Sequence, residues 1–482
     1  MTGDAGSSTA PPDGPAEAPA ETAAQTQSSS GSLLTGAMLG IACGAVLVPL
    51  NSTMLAVALP SVMGEFSVGP AAVASLVTLY LGAVAVALPA SGSLGDRFGH
   101  RRTFLIGVVG FGLASLIAAT AGSFAILALS RVLQAISGAL LSTSSAVLIR
   151  ATAPPDRPGA AFGLFDMLVS TSAAIGPFIG GLLVGGLGWR TLFVVSVPVA
   201  IVAATAVGVI STTARADHLA HAPRPIDLPG LALLAALLVA LLAAVNGLED
   251  GGAGRLAALA LPPLLLAFVW WESRSDHPAV DPRLFASRPF AAAVIGVMGA
   301  TVVLHATFVL VPLLVQRLQG GAPTTSGLVL LGISALGAVA APFGGRLSDR
   351  VGRRLPAVVG MAVCAIGLAA LWQVAPEASA VLLGVLLAVV GFGMGLSGSP
   401  RQAAAFETVA PDRVGMAAGT YFTGRYLGGV FGASLAGSVL GGAVTAGGVS
   451  LGFGLIAIVA VVVVIASFGL PGAPSHSRQA AS

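Results

Sequence analysis

Apolar positions in this chain come in long unbroken runs, and the polar positions collect in the short gaps between them. The runs fall at 34–58, 70–93, 103–121, 124–149, 161–187, 190–211, 228–248, 256–271, 290–315, 326–345, 356–374, 379–402, 414–440 and 449–470. About 20 apolar residues in a helix cross the hydrocarbon of a bilayer, so this pattern predicts an all-α integral membrane protein with fourteen spans. The run at 256–271 is short and carries Pro262 and Pro263, which leaves a re-entrant hairpin over 228–271 as the alternative; either arrangement keeps the number of crossings even.

Composition agrees with the pattern. Across 482 residues, 56% are hydrophobic, 9% are charged and the mean hydropathy is +0.95, values outside the range of ordinary soluble domains. Every basic side chain is arginine, and a net charge of +3 spread over the chain offers no basic groove for nucleic acid. Cys43 and Cys364 each lie inside an apolar run, as small packing residues rather than a disulfide or metal pair. Residues 1–32 are mostly Ala, Pro, Ser, Thr and Gly with four acids and no base, a composition that predicts a disordered tail. Without a basic start or a small-residue cleavage site, the first run is expected to stay as a membrane anchor.

Loop arginines set orientation, because the cytoplasmic side collects basic residues. Assigning alternate loops to one side places Arg190, Arg255 and Arg317 opposite all the other loop arginines, Arg401 among the latter. Both termini are then cytoplasmic, in the plasma membrane.

The gap after the second run reads "GSLGDRFGHRR" from Gly92 to Arg102, and "GRLSDRVGRR" at 345–354 repeats it, with Asp349 and Arg350 each 253 positions after Asp96 and Arg97. Two copies at one offset predict an internal duplication, six spans against six, with two spans inserted between them. The expected organisation is a tail at 1–32, an N-terminal six-helix bundle at 33–212, a linker with two extra spans at 213–288, a C-terminal bundle at 289–471 and a tail at 472–482.

Gly-x-Leu-x-Asp-Arg-x-Gly followed by two bases, after the second span of each half, resembles the signature loop of the major facilitator superfamily. With "NSTMLAVALP" in the first span and "SAAIGPFIGG" in the fifth, the chain is most similar to the fourteen-span drug:proton antiporters of that superfamily. The resemblance implies the major facilitator fold, with the loop latching the two halves on the cytoplasmic side through Asp96, Arg97, Arg101, Asp349 and Arg350. Gly92 and Gly99 permit close approach and a sharp turn, while Asp96 offers its carboxylate to nearby helix N-termini and arginines. His100 stands where the family usually has arginine, so that contact is expected to weaken as pH rises.

In the fifth span Gly176 and Gly180 make a G-x-x-x-G face for close helix packing, Gly181 follows, and Pro177 removes a backbone donor and favours a bend; in relatives this motif marks exporters, and Ser172 replaces its leading glycine. Gly424, Gly428 and Gly432 repeat such a face in span thirteen.

Charges inside a bilayer are costly, which makes each one a functional candidate. Arg131 and Gln134 in "RVLQAISG" match the family's fourth-span motif, in which the arginine influences proton exchange, and Arg425 in "TGRYLGGVFG" matches the thirteenth-span arginine. Both arginines serve either coupling or a buried structural pair. Proton-driven relatives carry Leu-Asp-x-Thr in span one, whereas this chain reads Leu50-Asn51-Ser52-Thr53. Asn51 cannot carry a proton; it can bind substrate or a neighbouring helix. Coupling then falls to another group. Asp166 either loads and releases a proton or sits as a first-turn carboxylate favoured by the helix dipole, and His305 either titrates near neutral pH or lines the core.

Tyr80, Phe165, Phe308, Tyr421 and Tyr426 fall in helices expected to line a central cavity, whose apolar and aromatic walls suit hydrophobic or weakly polar organic compounds. The reading is a monomeric secondary transporter, a drug or natural-product exporter driven by protons, with no cofactor or metal. The alternatives are an exporter of a metabolite such as a siderophore or amino acid, and a non-transporting sensor. No metal cluster, phosphate loop or paired nucleophile and base supports an enzyme.

Overall fold

The computed structural model describes residues 36–152, 158–209, 227–246, 252–276, 278, 280–409, 414–441 and 443–472. The N-terminal tail, nearly all of the C-terminal tail and the whole 213–226 connection lie outside them.

Among the described residues there is no strand. The helices are α1 (Gly36–Phe66), α2 (Pro70–Phe98), α3 (His100–Ala119), α4 (Phe124–Thr152), α5 (Pro158–Leu187), α6 (Thr191–Val194) and α7 (Ser196–Val209), then α8 (Leu228–Asn246) and α9 (Ala253–Glu272). They continue with α10 (Arg288–Leu313), α11 (Pro323–Val351), α12 (Arg354–Val374), α13 (Ala380–Glu407), α14 (Val414–Leu440) and α15 (Ala446–Ser467). Twelve described helices are long and apolar enough to cross a membrane. Two more complete the predicted fourteen. Leu228–Leu241 in α8 is a shorter apolar stretch, and α14 is 27 residues long but interrupted by Arg425, two tyrosines and several glycines.

Three sequence expectations change. Pro262 and Pro263 lie inside a continuous α9, so 228–271 is two full helices packed on each other rather than a re-entrant hairpin. The run at 190–211 is divided at Val195 into α6 and α7. Arg401, counted with the loop arginines, is inside α13 and buried, and Gly296 opposite leaves room for the arginine stem.

The duplication is visible in the backbone. Gly99 and Gly352, at the 253-residue offset, both take φ +88° and end α2 and α11; an L side chain is strained there. Gly92 meets nothing within 4 Å of a notional Cβ, so close approach does not explain it. Helix α5 lies on α1, and α14 lies on α10, through matching glycine faces. A Cβ on Gly180 would stand 2.8 Å from the Met54 carbonyl oxygen, and Gly428 and Gly432 press on the backbone of Met298 and Val302.

The halves meet along two seams, α2 against α14 and α5 against α11. At Gly181 a Cβ would stand 2.9 Å from the Pro323 carbonyl, and at Gly437 it would stand 2.9 Å from Ala74. Helix α8 covers the first seam, with Leu238 of α8 and Val430 of α14 both beside Gly82. The outer helix α9 exposes Leu256, Leu259 and Leu266, a face suited to lipid.

Candidate functional site

A polar network is buried in the N-terminal half. The Arg131 guanidinium on α4 donates through Nη1 to Asn51 Oδ1 on α1 at 2.6 Å and to Gln134 Oε1 at 2.7 Å. Gln134 passes its amide on to Ser115 Oγ of α3 at 2.8 Å, and Asn51 donates to Ser196 Oγ of α7 at 3.2 Å. Tyr80 of α2 lies under the guanidinium with its ring centre 4.1 Å away. Arg131 is 1% exposed and Asn51 2%, so the charge is wholly withdrawn from water. Hydrogen bonds to a charged group contribute about 1.5–3 kcal/mol each, and a desolvated cation–π contact about 2 kcal/mol. These offset the cost of burying the arginine, although neutral acceptors replace the carboxylate that a buried cation ordinarily takes. Nε keeps no partner.

The C-terminal half has a different polar centre. His305 of α10 has Nδ1 3.0 Å from the Thr301 carbonyl; that geometry assigns the proton to Nδ1 and leaves Nε2 as an acceptor. Its ring meets Phe308 edge-on at 6.2 Å. Gly429 of α14 faces His305 and Leu81 of α2 together, so His305 stands at the seam between halves. Arg425, one turn earlier on α14, is exposed, and its charge acts on His305, Tyr421 and Tyr426.

The aromatic residues divide. Phe165 and Tyr426 are half-buried, whereas Tyr80, Phe308 and Tyr421 are packed into the helices. Tyr421 belongs to a cluster with Phe406 and Phe422 beside Arg401. Asp166 falls on α5, and its side chain lies outside the described residues.

The repeated loops hold their own halves together. Asp96 pairs with His100 at 3.2 Å, one turn apart, and Arg101 donates to the carbonyls of Val207 and Gly208 at the end of α7. The second copy does the same with stronger partners. Arg353 binds Asp349 at 2.7 Å and also Glu407 at the end of α13, while Arg354 donates to the Leu470 carbonyl after α15. The Glu407 carboxylate pushes the Arg353 guanidinium above its ordinary range. Each half therefore has its last helix capped by an arginine, a favourable place for a cation. Arg97 sits over Phe98, and Arg350 is exposed.

Hydrogen bonds between the halves are found, among the described residues, at the opposite end of the spans. Arg317 Nη2 donates to the Pro60 carbonyl at 2.6 Å, Gln316 Nε2 to the Val57 carbonyl at 3.0 Å, and the Thr78 and Ser434 hydroxyls are 3.4 Å apart. This end is bound across, and among the described residues the end bearing the repeated loops is not.

Ser115, Ser196, Arg401 and the Arg353–Glu407 pair were not singled out by sequence reasoning. A lone serine in an apolar run carries no signal of its own, and Glu407 becomes meaningful only when α13 returns beside the loop at 345–354.

The major facilitator superfamily profile matches residues 41–433. The chain is 38% identical over 340 residues to the tetracenomycin C resistance and export protein of Streptomyces glaucescens, an alignment covering 70% of this chain and 62% of that protein. It is 31% identical over 384 residues to the multidrug resistance protein Stp of Mycobacterium tuberculosis, covering 78% of this chain and 70% of that one. Among solved structures, a peptide transporter POT in complex with sulfate aligns over 89% of this chain and 93% of its own, with TM-score 0.66 and 14% identity. A D-xylose–proton symporter aligns over 92% and 99%, with TM-score 0.64 and 15% identity. At these identities the structures speak for the fold.

Proposed function

The chain belongs to the major facilitator superfamily and is a transporter, not an enzyme, and from this we propose that it exports hydrophobic or weakly polar organic compounds from the cytoplasm by proton-coupled alternating access. The observation that carries the reading is the asymmetry of the seam. Among the described residues, Arg317, Gln316, Thr78 and Ser434 tie the halves together at one end only, the arrangement of one limiting state in a two-bundle transporter that rocks around a midplane site. With both termini and the repeated loops on the cytoplasmic side, this state opens inward and collects its cargo from the cell.

Resistance and export are named for the relatives, and the apolar, aromatic seam fits cargo of that kind. In this reading the Asp96 and Asp349 loops latch the cytoplasmic side in the opposite state. Asn51 carries no proton, so Asp166 on α5 and His305 at the seam are the coupling groups, with Arg425 acting on His305 and Arg131 supplying a second fixed charge. The test is uptake of a fluorescent drug into everted vesicles under an imposed pH gradient. Wild type concentrates the drug; Asp166→Asn or His305→Ala loses the gradient dependence. Equal uptake with and without the gradient in wild type refutes proton coupling, and no uptake of any compound refutes export.

A further inference from the structure

Among the described side chains the charges inside the spans are unbalanced. Arg131, Arg401 and Arg425 all lie well within helices, and every described carboxylate lies at a helix end or in a connection. Arg131 and Arg401 are buried and use neutral acceptors, Arg401 donating to Ser397 Oγ at 2.7 Å and keeping Nε unpartnered. Among the described residues Arg425 has neither a hydrogen bond nor an ion pair.

Its position gives that vacancy a use. Residues i and i+4 of a helix share a face, so Arg425 shares the face of Gly429, which looks at Leu81 of α2 and at His305. The packing face of α14 against α10, made by Gly424, Gly428 and Gly432, lies beside it. An arginine exposed near the middle of a span does not face hydrocarbon at acceptable cost, which argues that it faces the gap between the halves. In that low-dielectric setting one unpaired cation, with the Arg131 charge behind Tyr80 adding to it, outweighs many weak contacts in choosing the sign of a ligand.

We propose that the cavity of the exporter inferred above selects aromatic organic acids, with a carboxylate or phenolate pairing with Arg425, the ring system against Tyr426 and Leu81, and His305 Nε2 accepting from a second hydroxyl. Lipophilic cations are disfavoured by the same charge.

The proposal rests on the export reading for its biological meaning, and its test is equilibrium binding, which needs no transport. Fluorescein and rhodamine 123 share a xanthene skeleton and differ in charge sign. Fluorescence anisotropy on the full chain in nanodiscs is expected to show fluorescein binding at least tenfold tighter than rhodamine 123. Arg425→Gln removes most of that preference and Arg425→Lys restores it. Equal or tighter binding of rhodamine 123 to wild type overturns the proposal, and so does an undiminished preference in a monodisperse Arg425→Gln protein. Sign-selective binding without vesicle transport supports this inference and defeats export; transport of both dyes without preference does the reverse.

Discussion

Asn51 and Arg131, eighty residues apart on α1 and α4, are joined by a 2.6 Å hydrogen bond in which a neutral amide oxygen meets a buried guanidinium. The bond ties the first helix to the fourth, and through Ser196 to α7. Replacing Asn51 by leucine leaves the cation with Gln134 and the Tyr80 ring alone. The expected cost is about 2–3 kcal/mol, the loss of a charged hydrogen bond in a dry site. Asn51→Asp keeps an acceptor and adds a counter-charge, so it is expected to retain the wild-type thermal midpoint or exceed it. Thermal unfolding in detergent, with both variants run beside wild type, checks this; a leucine variant as stable as wild type would show that the bond contributes nothing.

Helix α5 sits against α1 because Gly180 has no side chain. A Cβ there would stand 2.8 Å from the Met54 carbonyl oxygen and 3.0 Å from its Cα, backbone that cannot give way, whereas at Gly186 nothing lies within 4 Å. Gly180→Ala is therefore expected to push the helices apart at a cost of about 1–3 kcal/mol and to lower folded yield. Gly186→Ala sits on an open surface and is expected to stay within about 0.5 kcal/mol of wild type. Fluorescence-detected size-exclusion after a heating series separates the two.

Much of this fold was legible because a bilayer leaves the chain few options. Apolar runs at the right length forced helices, and the repeated Asp-Arg loop placed one half on the other. What stayed hidden depended on which helix faces which. Asn51, Arg131, Gln134 and Tyr80 were each singled out, but nothing in the spacing says that they meet in one cluster. Tyr80 and Tyr421, taken for cavity walls from their helices alone, are turned inward, Tyr80 beneath the Arg131 guanidinium, a contact that lowers the cost of burying both, and Tyr421 among Phe406 and Phe422. Arg401 lies inside the 379–402 run but was counted with the loop arginines; in α13 it is buried because Gly296 opposite leaves room for its stem.

That pair gives a graded prediction. Glu407 is 43% exposed and Asp349 67%, while both bind the 11%-exposed Arg353. Solvent screens the more exposed partner further. Glu407→Gln is expected to cost about 1 kcal/mol, and Asp349→Asn less than about 0.5 kcal/mol. Urea or thermal unfolding of the two single variants and the double variant also yields their coupling; a larger loss for Asp349→Asn would reverse the assignment of the dominant partner.

At the other end, Arg317 and Gln316 project from a π-helical turn at Leu314–Leu318 and bind two carbonyls of α1, those of Pro60 and Val57. Gly64 leaves space for the guanidinium, since a Cβ there would stand 2.9 Å from Nη2. If these bonds hold this end closed, removing the charged one shifts the balance toward the state in which it opens. A charged hydrogen bond of about 1.5–3 kcal/mol corresponds to at least a tenfold change in population. The reporter is Ser434→Cys, buried at the seam beside Thr78, in a protein with Cys43 and Cys364 replaced by alanine. A membrane-impermeant maleimide applied from this face should react about tenfold faster when Arg317→Ala is added. Gln319→Ala is the control, because Gln319 donates to the Pro376 and Ala378 carbonyls within its own half and should leave the rate unchanged. An unaltered rate in the Arg317 variant would show that the glycine seams α5–α11 and α2–α14 hold this end without help from the arginine.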